Sequence, residues 1–82
     1  MRLVWDEPKR LRNIAKHGLD FADLSLDFFM TAYVGSARDG RFKVLGELNG
    51  RLIVAVVFRP LGSEALSIIS MRPASKQERR RL

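Results

Sequence analysis

Residues 41–58 read Arg-Phe-Lys-Val-Leu-Gly-Glu-Leu-Asn-Gly-Arg-Leu-Ile-Val-Ala-Val-Val-Phe. Two runs of period-two, β-favouring residues flank Asn49-Gly50, the dipeptide that most readily adopts the paired positive-φ turn of a β-hairpin. The spacing predicts strands over Arg41–Leu48 and Arg51–Phe58. A two-residue loop would pair Leu48 with Arg51, Gly46 with Ile53, Val44 with Ala55 and Phe42 with Val57. That register sends Ile53, Ala55 and Val57 inward and leaves Leu52, Val54, Val56 and Phe58 on an outer face in need of a cover, either the C-terminal helix or a partner. Arg41 and Lys43 project from the same outer face. A slip of one residue would exchange the two faces.

Around the hairpin, Arg2–Trp5 reads as a short strand. Asp6 and Pro8 are start signals for a helix over Glu7–His17, which Gly18 stops. Leu11, Ile14 and Ala15 mark its inward side. Asp20 opens a second helix ending near Met30, with Phe21, Leu24 and Phe28 on one stripe and Leu26 and Phe29 widening it. Ala32–Val34 and Ala65–Met71 read as further strands. Ser75 and Glu78 form a capping box before a basic helix over Lys76–Leu82. The order β-α-α-β-β-β-β-α describes an α+β domain, an antiparallel sheet with the N-terminal helix pair on one face and a short C-terminal helix.

The chain has 82 residues, no cysteine and one histidine. Thiolate metal sites, disulfides and cysteine nucleophiles are excluded, and the lone His17 with Asp20 and Asp23 makes no convincing metal site. No cofactor is implied. No apolar run approaches the ~18 residues of a membrane span, and the N-terminus has no signal-peptide core, which together with the lack of cysteine fits the cytoplasm.

The formal net charge is +6. Residues 1–30 hold five basic and five acidic groups; residues 31–82 hold ten basic and four acidic. The excess in the second half points to a polyanionic partner, or to a partner protein with an acidic surface. Cations suit phosphate chemistry, and a histidine exchanges protons at cell pH. Arg41 and Arg72, at a strand start and a strand end, offer planar forks for phosphate oxygens; edge-strand protection is the other reading. His17 is either a proton-transfer group or a helix-end residue facing free carbonyls. Lys16 contacts phosphate or sits on a solvated helix face, and Arg51 flanks a turn. Ser70 lacks partners for a nucleophilic triad and suits a hydrogen bond to strand or phosphate. Arg79 and Arg80 grip an RNA backbone or end a helix. Glu78 reads as a cap. Trp5 reads as core.

Trp5-Asp6, Lys9, Asn13, Lys16-His17-Gly18 and Phe21, with Asp39-Gly40-Arg41, Gly46, Gly50-Arg51-Leu52, Ile68-Ile69-Ser70-Met71-Arg72, Ala74 and Glu78-Arg79, carry a resemblance over residues 3–81. The chain resembles the BrnT toxins of type II toxin–antitoxin systems. It differs from their pattern at Thr31-Ala32-Tyr33-Val34 and Arg59-Pro60-Leu61. The resemblance implies a RelE-like fold in one toxin-like domain over residues 1–82 and metal-independent cleavage of RNA that halts translation. It also implies a hetero-oligomer with a BrnA-like, ribbon-helix-helix antitoxin, through which the complex binds its operator DNA. Taking the residue chemistry together with the resemblance, His17, Arg41 and Arg72 are expected to be catalytic, and Lys16, Lys43, Arg51, Ser70, Arg79 and Arg80 to bind substrate. The alternative is a non-catalytic nucleic-acid- or protein-binding module on the same fold.

Overall fold

A computed structural model describes all 82 residues. The elements are β1 (Arg2–Trp5), α1 (Glu7–His17), a 3₁₀ turn (Phe21–Asp23), α2 (Leu26–Thr31), β2 (Tyr33–Arg38), β3 (Arg41–Leu48), β4 (Leu52–Leu61), β5 (Ala65–Pro73) and α3 (Lys76–Arg79). The strands form one sheet in the order β1-β5-β4-β3-β2. The expected α+β class and element order hold, but the sheet is mixed: β1 runs parallel to β5, and the other three pairings are antiparallel.

The central hairpin carries the expected turn in an unexpected register. Asn49 and Gly50 both have positive φ (54° and 70°), and the Arg51 N–H reaches the Leu48 carbonyl at 3.2 Å. Pairing resumes only at Leu52, which opposes Leu48, so Arg51 is an extra residue. Every β4 partner moves by one: Gly46 faces Val54, Val44 faces Val56 and Phe42 faces Phe58. The β3 faces are as expected and the β4 faces are exchanged. Val54 and Val56 are fully buried with Phe21, Phe28, Ile68 and Met71, and Phe58 packs against them. The slip places the bulkier apolar set of β4 in the core, so hydrophobic burial, and not the two-residue turn, decides the register. The expected bare face of Leu52, Val54, Val56 and Phe58 therefore does not exist.

Gly46 lies where α2 crosses β3. A Cβ there would stand 2.9 Å from the Phe28 ring and 3.4 Å from the Ala32 Cβ, so only glycine admits this close packing.

The second helix is broken. The Asp20 carboxylate accepts the Ala22 N–H at 2.9 Å, closing a single 3₁₀ turn; Ser25 then caps a fresh start by accepting the Phe28 N–H at 3.4 Å. Asp and Ser compete for nearby backbone donors and interrupt the helix here. Phe21, Leu24 and Phe28 are buried as expected, whereas Leu26 and Met30 are exposed.

Helix α1 is capped as read. Asp6 accepts the Lys9 N–H, and Gly18 adopts the left-handed conformation (φ 70°), donating to the Ile14 carbonyl. Its inward side differs from expectation. Leu11 and Ala15 are exposed, and the side turned to the sheet is Arg10, Asn13, Ile14 and His17. Pairing of β1 with β5 ends at Trp5–Ile68, so the β5 edge beyond it needs another partner. Asn13 supplies one, accepting the Met71 N–H at 3.1 Å and donating to the Leu19 carbonyl at 2.9 Å. Arg10 ties α1 to the following turn through Asp20, and pairs within the helix with Glu7.

Helix α3 is shorter than expected. It lies on the other face of the sheet, where Ala74 is buried with Leu45 and Ala55 against Ile53. No helix is long and apolar enough to cross a membrane.

Candidate active site

Two groups of polar side chains meet along β5. The first lies on the outer sheet face. Lys43, Val57 and Ser70 occupy one cross-strand row, and Leu45, Ala55 and Arg72 the next. From these rows Arg72 and Lys43 converge on Glu78 of α3. Arg72 donates Nη1 to Oε1 at 2.7 Å and Nη2 to Oε2 at 2.9 Å; Lys43 Nζ reaches Oε2 at 2.7 Å. The Ser75 N–H closes the capping box on Oε1 at 2.8 Å. The Glu78 side chain is 12% exposed. The Arg72 fork, with Lys43 and the Ser75 N–H in support, holds the Glu78 carboxyl far below the usual carboxylate range, and Glu78 raises the Arg72 guanidinium in turn. Arg72 Nη1 also donates to the Pro73 carbonyl. Of the five guanidinium N–H groups, the Nε–H and one Nη2–H remain, which together form the second edge of the fork.

Glu78 thus does more than cap α3. It is the counter-ion that pins the C-terminal helix to the sheet, a role its sequence position hides because Lys43 is 35 residues away. Replacing it by Gln keeps an acceptor for Ser75 but leaves two cations without their partner, and is expected to cost about 1–3 kcal/mol at pH 7. Because the folded-state pKa is depressed, the contribution of Glu78 is complete above the ordinary glutamate value of 4.5 and fades as pH falls through the lower folded value. Thermal unfolding from pH 7 to 3 checks this: the gap between the wild-type protein and Glu78→Gln should narrow below pH 4.5.

The second group lies where α1 runs beside the free edge of β5. A bulge places Ile69 between the Phe58–Ile68 and Val57–Ser70 pairs. There Lys16, His17 and Ser70 border a cleft of about 370 Å³, with Asn13 and Ile69 beneath and Lys9 and Arg12 along its rim. No carboxylate lines it. His17 is half-buried and Lys16 exposed. Ser70 joins this cleft to the row that contains Lys43.

The structure therefore unites Lys16, His17 and Ser70, and separately Lys43 and Arg72. Arg41 is exposed and borders a shallow depression with Lys43, Ser36 and Val57. Arg51, Arg79 and Arg80 are exposed and line none of these clefts. Lys9 and Arg12 are the rim residues that sequence reasoning passed over. Trp5 packs against the core, its ring edge-on to Phe21 at 6.3 Å, as read. No three His, Asp or Glu side chains converge to hold a metal ion.

Cations around an imidazole suit displacement at a phosphodiester. That reaction needs a base, an acid and positive charge on the phosphorane oxygens.

A family model described as "Ribonuclease toxin, BrnT, of type II toxin-antitoxin system" matches residues 5–78. Among solved structures, the 1.1 Å crystal structure of the Brucella abortus ribonuclease toxin BrnT is 59% identical. The match covers 93% of this chain and 99% of that one, with a TM-score of 0.87. No curated protein matches.

Proposed function

Since the chain belongs to the BrnT family of ribonuclease toxins of type II toxin–antitoxin systems, we propose that it cleaves RNA without a metal ion, using the α1–β5 cleft and the adjoining outer face of the sheet. The observation that carries this reading is the convergence of Lys16, His17 and Ser70 in a cleft free of carboxylates. His17 moves the proton, at the 2′-hydroxyl or at the leaving 5′-oxygen. Arg72, held on one edge by Glu78, presents its second edge to the phosphorane; Arg41 and Lys43 supply further positive charge. Lys16 and Ser70 hold the substrate in the cleft, with Arg51, Arg79 and Arg80 as outlying backbone contacts.

A type II toxin is paired with a protein antitoxin. We assign to this one a BrnA-like ribbon-helix-helix partner in a hetero-oligomer that reaches operator DNA through the antitoxin. Its work is in the cytoplasm, where messenger RNA is translated.

Expression without antitoxin is expected to arrest growth, and the purified protein to cleave RNA; added antitoxin should abolish both. The Arg72→Lys variant refines the assignment. It should bind RNA but cleave poorly, because a point charge lacks the fork. Full activity with Lys would reduce Arg72 to a simple cation. RNA left intact by the folded wild-type protein would favour the non-catalytic binding module.

A further inference from the structure

The first thirty residues are formally neutral, yet the fold sorts their charges. Glu7 and Asp20 are both consumed by Arg10, and Asp6 caps the helix. Asp23 and Asp27 face a different cleft together with Glu47. The basic residues Lys9, Arg12 and Lys16 are exposed, and none forms an ion pair. Their spacing of i, i+3, i+7 aligns them on one stripe of α1. That stripe is the rim of the cleft that holds His17 and Ser70.

We infer that Lys9 and Arg12 extend the cleft into a track for the phosphodiester backbone of single-stranded RNA, seating the nucleotides that flank the cleaved bond. This rests on the proposed ribonuclease function and adds to it a binding segment on α1. From Lys9 to Lys16 the helix rises about 10 Å, a length over which three cations can reach consecutive phosphates of one strand. The composition of the rim selects the ligand class. A protein interface of this size would be built around apolar or aromatic anchors, and Ile69 is the one hydrophobic residue here. Exposed, unpaired cations beside Asn13 and Ser70 suit a flexible polyanion.

The test uses the double variant Lys9→Gln/Arg12→Gln and a 12-nucleotide RNA with 2′-O-methyl groups, which cannot be cleaved by 2′-hydroxyl attack. Both residues are exposed, so circular dichroism and Tm should be unchanged. Loss of two phosphate contacts should flatten the log–log salt dependence of binding by about 1.4 and weaken binding about 10–30-fold at 0.1 M salt. On cleavable RNA, KM should rise with kcat nearly constant, the signature of lost uniform binding. The charge-matched control Arg2→Gln/Lys76→Gln should change the slope by less than half as much.

If the double variant binds RNA like the wild-type protein or like the control, the track is refuted while the ribonuclease reading stands. If it keeps RNA affinity but loses antitoxin affinity, the stripe is a protein interface and the inference is wrong. If the wild-type protein neither binds nor cleaves RNA, the functional reading falls, and the track with it.

Discussion

His17→Ala is expected to slow RNA cleavage by about 10²–10⁴-fold, the range for removing a general acid or base. The fold does not depend on this imidazole. The end of α1 is secured by Gly18, whose N–H reaches the Ile14 carbonyl at 2.7 Å, and no side-chain hydrogen bond involves His17. Its Tm should therefore stay within a few degrees of wild type, so that lost rate reports chemistry. Single-turnover cleavage beside a thermal melt checks both quantities. Growth arrest on expression should weaken in parallel. A folded His17→Ala protein with wild-type rate would remove the histidine from the mechanism and leave cations alone to act.

Asn13→Ala is expected to do the opposite, acting on stability first. Asn13 is 8% exposed and its amide satisfies two backbone groups, the Met71 N–H and the Leu19 carbonyl, where β1 no longer covers the β5 edge. Alanine leaves both unpaired at a cost of about 2–4 kcal/mol. In a domain of this size that lowers Tm by about 10–25 °C. Asn13→Asp retains the acceptor for Met71 but turns a second oxygen towards the Leu19 carbonyl, and should also destabilise. A Tm loss under about 3 °C for Asn13→Ala would show that water replaces the amide and that α1 is held by other contacts.

These two neighbours on one helix mark what sequence alone could convey. The caps of α1, the strands of the hairpin and the Ser75–Glu78 box were legible because each depends on residues a few positions apart. The β4 register was not. An Asn-Gly turn with one added residue looks identical in sequence, and the outcome rests on which apolar set of β4 fills the core. The inward face of α1 is legible only at Ile14, for a related reason. Hydrophobic spacing favoured Leu11, but the partner surface there is an unpaired strand edge, which calls for an amide.

The candidate site was legible in part. Lys16, His17 and Ser70 were each named from the sequence, and the fold brings them together across more than fifty residues of chain. That Arg72 and Lys43 share Glu78 required the sheet register. The rim of Lys9 and Arg12 was concealed by counting charge along the chain, because neutrality in sequence becomes segregation in space once Arg10 takes up Glu7 and Asp20.

In the proposed reaction, cations and one histidine cleave RNA through its own 2′-hydroxyl. Its most direct test is the chemistry of the product ends. Purified protein freed of antitoxin is incubated with RNA in excess EDTA, and the 3′ termini are identified by mass spectrometry. Undiminished cleavage yielding 2′,3′-cyclic phosphate ends is the predicted result; cleavage that requires added metal ion, or that leaves 3′-hydroxyl ends, would contradict it.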